Sequence, residues 1–285
     1  MLNRTAIDRV VSVALDEDAP WGDLTSESLI VETASARAEL VAREEGVFSG
    51  GEVFAAAFRL TDPRIRVDLL VEDGGFFTPG TTLALVAGPA RGILTAERVG
   101  LNFTQRMSGI ATLTAQYVAE VAHTGARITD TRKTTPGLRA LERHAVRNGG
   151  GHNHRFSLSD AVMAKDNHLA VLAAKGVSVT AALQGAIAQL PHTTHVEVEV
   201  DRLDQIDAVL AAGVGTIMLD NFSLADLRAG VAQVAGRAMV EASGGVDLAT
   251  VRAIAETGVD VISVGALTHS ARALDLGLDI SVDRT

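Results

Sequence analysis

Cysteine is absent from this 285-residue chain. That one absence excludes disulfides, thiolate metal sites, iron–sulfur clusters and a cysteine nucleophile, and it fits a reducing cytoplasm. Aromatic residues make up only 4% of the chain and the formal net charge is −10. A general nucleic-acid surface needs basic stripes and often stacking rings, so any basic site here must be local. No run of about 18 apolar residues occurs, and the opening stretch "MLNRTAIDRVVSVALDEDAP" is amphipathic with acids inside it. The sequence therefore predicts a soluble, unexported chain with no membrane partner. Lysine is scarce as well, with three against 22 arginines.

What is present is 47% hydrophobic residues, enough for one large core plus a smaller one. The chain changes character near residue 110. Before it come a helix over about 4–16 and short alternating segments at 36–44, 64–73 and 81–90, separated by Gly and Pro turns, which predict a small sheet domain. A long helical stretch follows over 94–125, with a break expected near Ser108-Gly109. Beyond Gly125, strand and helix alternate. The strands are "ARITDT", "AVMAKD", "HVEVEV", "TIMLDN", "MVEASG" and "VISVGA". The helices "LDQIDAVLAAG" and "LATVRAIAETG" each close on a Gly suited to the position after a helix end. Such alternation predicts parallel β/α units, either an incomplete barrel or a doubly wound open sheet.

The polar residues cluster at the strand ends. Asp130, Arg132 and Lys133 end the first strand, Lys165 the second, Glu199 the third and Asp220 the fourth, while Ser243-Gly244-Gly245 and Gly265 end the last two. In parallel α/β folds ligands bind at that rim, and glycines there let backbone N–H groups approach phosphate oxygens. Residues 131–169 hold seven of the 25 Lys and Arg against three acids. Two of the three lysines, Lys133 and Lys165, stand at strand ends. Lysine offers a compact point charge, whereas arginine forks bind carboxylates bidentately, so the segment suits a small polyanion.

Plainer readings stand beside these. Arg139, Arg143 and Arg147, spaced by four, read as a solvated helix face with Glu142 as an internal partner. His152 and His154 share one side of an extended chain and form a possible metal pair with no third ligand nearby in sequence. Strand alternation sends Glu197 and Glu199 to the same face, where a buried carboxylate calls for a cation.

The stretch "TRKTTPGLRALERHAVRNGGGHNHRFSLSDAVMAKDNHL" resembles the signature of the quinolinate phosphoribosyltransferase family. "DEDAPWGDLTSE", "LTAERVGLNFTQRMSGIAT", "HVEVEVDRLDQIDAVLAAGVGTIMLDNFS", "EASGGV" and "ISVGALTHS" match its pattern in order, with "QLPHTTH" slightly longer than usual. The resemblance implies an N-terminal α/β sandwich over 1–109, joined by the C-terminal residues 268–285. It also implies an open, incomplete parallel α/β barrel of the type II phosphoribosyltransferase kind over 110–267, carrying the active site. A homodimer or larger assembly follows from it, with Arg98 crossing into the partner's barrel. Thr131, Arg132, Lys133, His154, Arg155 and Lys165 match residues around the pyridine dicarboxylate and the ribosyl diphosphate. Glu199 and Asp220 match carboxylates that engage the ribose hydroxyls and Mg²⁺, directly or through water. Ser243, Gly244, Gly245, Val264 and Gly265 match the 5′-phosphate cradle. Lys133, Glu199 and Asp220 match the residues nearest the chemistry.

The activity implied is transfer of a phosphoribosyl group from phosphoribosyl pyrophosphate (PRPP) to quinolinate with loss of CO₂, giving nicotinate mononucleotide and pyrophosphate for NAD biosynthesis. A nicotinate-using enzyme without decarboxylation would bind one carboxylate fewer. A silent sugar-phosphate sensor would be expected to lose Lys133 or the metal carboxylates. An aldolase-type barrel would use Lys165 as a Schiff base.

Overall fold

The structure is a computed structural model that describes residues 2–165, 167–169, 171 and 176–282. It divides into two compact units, one formed by Met1–Ala115, Thr134–Gly150 and Leu267–Thr285, the other by Gln116–Lys133 and Gly151–Ala266.

In the first unit, helix α1 (Arg4–Asp18) starts where the Asn3 side chain accepts the Ala6 N–H, and it buries Ile7 and Val11. Helix α2 is Leu24–Leu29. Strand β1 (Ser35–Ala42) alternates, burying Ala36, Ala38, Leu40 and Ala42. A two-residue ladder of β2 (Gly46–Val47) and β4 (Phe76–Phe77) flanks helix α3 (Gly51–Thr61) and strand β3 (Arg66–Leu69) in the chain. Strand β5 (Thr82–Pro89) pairs antiparallel with both β1 and β3. The C-terminal strand β12 (Leu276–Val282) returns to pair antiparallel with β1, completing the order β12-β1-β5-β3. Helix α3 buries Val53, Phe54 and Phe58, with the two rings edge to face at 4.8 Å.

Helix α4 runs unbroken over Ala90–Val121, so the break expected at Ser108-Gly109 does not occur. The glycine serves packing instead. A Cβ on Gly109 would stand 1.9 Å from the Arg272 carbonyl oxygen, and the buried Ser108 hydroxyl accepts the Ser49 N–H at 3.1 Å. Sequence periodicity cannot distinguish a glycine that ends a helix from one that admits another segment.

Helix α5 (Arg139–Asn148) belongs with the first unit. The segment Thr134–Gly150, within the 110–267 span expected for the barrel, groups with the first unit. The reason is polar packing: Glu142 is buried and accepts Arg106 Nη2 at 3.0 Å, while His144 Nε2 and Asp73 Oδ2 are 2.7 Å apart. Glu142 also accepts the Thr135 amide and hydroxyl, so its hydrogen-bond partners among the described residues, Arg106 and Thr135, lie outside its own helix.

The second unit contains six parallel strands, β6 (Arg127–Thr129), β7 (Val162–Ala164), β8 (Val196–Val200), β9 (Thr216–Asp220), β10 (Met239–Ser243) and β11 (Val261–Ser263), all six anticipated from sequence. Their order is β6-β11-β10-β9-β8-β7, with β6 and β7 at the edges. Helices α6 (Val179–Ile187), α7 (Ile206–Leu210), α8 (Leu224–Val234) and α9 (Val251–Ala255) alternate with the later strands, and α10 (Ala266–His269) follows β11. Gly213 and Gly258 follow α7 and α9 at φ of +81° and +92°, as the helix-closing glycines predicted. His152 forms a single parallel bridge to Thr129 on the outer edge of β6. In a flat sheet that edge would stand roughly 19 Å from β8, four strand spacings away. His154 nevertheless reaches Glu197 on β8 and Glu241 on β10. The sheet is rolled into an open barrel, which excludes the flat doubly wound alternative.

Candidate active site

Strand register builds the site. β8 and β9 pair Glu197 with Thr216 and Glu199 with Met218, and β9 and β10 pair Met218 with Glu241 and Asp220 with Ser243. Period-2 alternation then sends Glu197, Glu199, Thr216, Met218, Asp220, Glu241 and Ser243 to one face. Val196, Val198, Val200, Ile217, Leu219, Val240 and Ala242 go to the other and are buried. Strands of a parallel sheet usually read as apolar on both faces. Here one face is polar, and its groups rise toward the C-terminal ends.

At that rim Lys165 Nζ pairs with Glu199 Oε2. Asp220 Oδ1 accepts the Ser243 hydroxyl, and its Oδ2 accepts Asn221 Nδ2 at 2.7 Å. Glu199 and Asp220 line a cavity of about 280 Å³ with Val200, Asp201 and Asn221. Gly244 and Gly245 are exposed, with φ of +89° and +60°. A Cβ on Gly244 would meet Asn221 Oδ1 at 2.2 Å, so the turn requires a residue without a side chain. The buried Val264 donates its N–H to Thr129 O at 2.9 Å, tying β11 to β6, and Gly265 follows it half-buried.

The basic segment continues the rim. Thr131 Oγ1 accepts the exposed Lys133 N–H at 3.1 Å. Arg155 Nη1 donates to Ala161 O at 3.1 Å. Burial and the like charge of Arg132 both push the Arg155 pKa down, and Glu197 opposes them. Arg98 is exposed on α4 in the first unit.

His154 does not pair with His152, which is exposed beside β6. Its Nε2 faces Glu197 Oε2 at 3.0 Å and Glu241 Oε2 at 3.5 Å, and its Nδ1 accepts the Arg155 N–H at 2.8 Å. Burial lowers the His154 pKa and hydrogen bonds to Glu197 and Glu241 pull it up toward about 10, a rise that presupposes an Nδ1 free to take the second hydrogen. The Arg155 amide resists that rise, because a ring protonated on both nitrogens cannot accept it. Burial, reinforced by the charge of Glu241, pushes the Glu197 carboxyl up.

Comparison with known proteins bears on the whole chain. The family models for the quinolinate phosphoribosyl transferase N-terminal and C-terminal domains match residues 23–108 and 110–279. The chain belongs to the quinolinate phosphoribosyltransferase family. A relative in Bacillus subtilis (strain 168), named probable nicotinate-nucleotide pyrophosphorylase (carboxylating), is 40% identical over 99% of this chain and 96% of its own. One in Mycobacterium leprae, named nicotinate-nucleotide pyrophosphorylase (carboxylating), is 44% identical over 94% of both. The crystal structure of NadC from Streptococcus pyogenes superposes with a TM-score of 0.94 at 40% identity, covering 100% of this chain and 99% of that one.

Sequence reasoning passed over two site groups, Glu241 and Asn221, and placed a third, Asp130, only by its strand end. Glu241 lies two residues before Ser243, so the alternation that placed Ser243 places Glu241 too. Asn221 lines the cavity from a left-handed conformation, φ +58°, that no sequence pattern announced. Asp130 is fully buried and accepts the His154 N–H at 2.8 Å and Asn153 Nδ2 at 2.6 Å, so it shapes the "HNH" segment from within.

Proposed function

We propose that this protein transfers the phosphoribosyl group of PRPP to quinolinate with decarboxylation, using Mg²⁺, as a cytoplasmic homodimer in which Arg98 completes the partner's pocket. The observation that carries this reading is the rim itself, where Lys165 and Glu199, Asp220 and Ser243, and the Gly244-Gly245 turn stand at successive parallel strand ends. Cations for a diacid adjoin carboxylates for a ribose, next to a turn that exposes backbone N–H groups.

The donor set fits a hard divalent cation, since Glu199 and Asp220 present carboxylate oxygens to one cavity. Each carboxylate already has a protein partner, which favours contact through water or the donor's pyrophosphate. When bound, Mg²⁺ neutralises charge on the pyrophosphate leaving group.

Arg132, Arg155 and Lys165 hold the two carboxylates of quinolinate and aim the ring nitrogen at the anomeric carbon. The 5′-phosphate rests on the Ser243-Gly244-Gly245 turn and on Gly265, with Thr131 and Val264 fixing the backbone beside them. Lys133 meets the donor's phosphate charge. As the bond from the anomeric carbon to pyrophosphate breaks, the oxygens of Glu199 and Asp220 stabilise the positive charge that develops. The ring nitrogen forms the new C–N bond and becomes a pyridinium. The C2–carboxylate bond then breaks, CO₂ departs, the electron pair remains at C2 stabilised by the pyridinium, and a proton is taken up there. Positioning and electrostatics carry the catalysis, with no covalent enzyme intermediate.

The test is release of labelled CO₂ from quinolinate labelled in its 2-carboxylate. Release should require both PRPP and Mg²⁺, with nicotinate mononucleotide formed in equal amount. Release without PRPP, or ribosyl transfer to nicotinate at a comparable kcat/KM, would overturn the reading.

A further inference from the structure

Below the rim lies a pair of carboxylates that the transfer chemistry does not use. Glu197 and Glu241 stand one alternation beneath Glu199 and Ser243, and they are 4% and 3% exposed. Each turns Oε2 toward His154 Nε2, and neither Oε1 has a hydrogen-bond partner among the described residues. Burying two acids side by side is costly, so their retention needs a compensating interaction.

The compensation is legible in the imidazole. His154 Nδ1 accepts the Arg155 backbone N–H at 2.8 Å, which requires that nitrogen to be bare. The ring hydrogen then sits on Nε2 and points at the two carboxylates. This excludes a metal bound at Nε2 in place of that hydrogen, because a neutral histidine ligand needs a hydrogen on its other nitrogen. It also leaves no ring N–H for a substrate, since both nitrogens are occupied inside the protein. The same segment is held from the other side by Asp130, which accepts the His154 N–H at 2.8 Å.

We infer that Glu197 and Glu241 are positioning residues for the diacid pocket, acting through His154 to fix the Arg155 backbone and so aim its guanidinium. The inference rests on the proposed function for what Arg155 holds. The chain of contacts runs from two strand carboxylates to an Nε2–H imidazole, from its bare Nδ1 to the Arg155 amide, and from that backbone to the charged fork.

Two measurements on the full chain test this. The first is proton–nitrogen correlation of the histidine rings in the wild-type protein, with a His154→Gln variant to assign the signal. The expected state at neutral pH is the Nε2–H tautomer, unchanged when quinolinate saturates the protein. A hydrogen on Nδ1, or a change of tautomer on adding quinolinate, overturns the proposal and makes His154 a direct ligand. The second is steady-state kinetics of Glu241→Gln, with Glu197→Gln as an alternative should the first not fold. The KM for quinolinate should rise on the order of tenfold, the low end for losing an orienting partner. The kcat and the KM for PRPP should stay within about twofold, and Glu241→Asp should restore part of the loss. An unchanged quinolinate KM in a folded variant, or equal losses for both substrates, refutes the positioning role. Should the wild-type protein release no CO₂ from quinolinate, the functional reading fails, while the ring measurement still decides the tautomer.

Discussion

Replacing Gly244 by alanine tests the phosphate turn against a built-in control, because the next residue is also a left-handed glycine. At Gly244 the backbone φ is +89°, and a Cβ would stand 2.2 Å from Asn221 Oδ1 and 2.9 Å from the Asn221 backbone nitrogen. At Gly245 the φ is +60° and nothing lies within 4 Å of the added atom. Both substitutions carry the left-handed strain of an L side chain, about 1–2 kcal/mol. Only Gly244→Ala also forces Asn221 to move, which disturbs the 2.7 Å bond from its side chain to Asp220 and the 2.9 Å bond from its N–H to Ser243 O. One or two solvent-accessible hydrogen bonds add about 1–3 kcal/mol. Urea unfolding should therefore show Gly244→Ala less stable than Gly245→Ala by roughly that margin. Because the displaced Asn221 carries Asp220 with it, the KM for PRPP should rise more in Gly244→Ala, by about five- to a hundredfold, with the quinolinate KM nearly unchanged. Equal destabilisation and equal donor KM in the two variants would show that Asn221 yields freely and that the contact argument is wrong.

Three further outcomes are expected. Gly109→Ala should destabilise by roughly 1–2 kcal/mol, although alanine is the better helix former, because overpacking outweighs propensity; a rise in urea midpoint would refute this. If the proposed two-fold dimer forms with Arg98 crossing it, an Arg98→Ala chain and a Lys165→Ala chain should each be nearly inactive alone, and refolded together should recover roughly a quarter of wild-type activity, since about half the dimers would be mixed and each of those would hold one pocket with the full cation set. No recovery despite demonstrated subunit mixing would place Arg98 in its own subunit's service. Glu44 is held at about 2, below its usual 4.5, chiefly by its hydrogen bonds with Arg272. The stabilisation is full above 4.5 and is lost as pH falls through 2, and on this exposed pair it amounts to under about 1 kcal/mol. Glu44→Gln should flatten the stability slope in that window and leave it unchanged above; an equal loss at neutral and acid pH would refute the linkage.

The sequence by itself determined the elements of the barrel and the placing of Lys165, Glu199, Asp220 and Ser243 at its rim. Alternation within a strand and the position of a residue at a strand's end are local properties, so four to six residues are enough to state them. The same alternation called for a cation beside Glu197 and Glu199; the structure supplies one, Lys165, for Glu199, and an imidazole N–H donor, His154, for Glu197. What the sequence could not determine was which distant groups would meet. Gly109 reads as a helix breaker until Arg272, 163 positions later, is seen against it. Glu142 reads as a partner for its own helix until Arg106 is found to fill that role. His154 reads as one of a histidine pair until the rolled sheet brings Glu197 and Glu241 to its Nε2. Periodicity specifies the direction a side chain faces, whereas the identity of what it faces depends on strand order and sheet curvature, which are set by the packing of the whole unit and by no local segment of it.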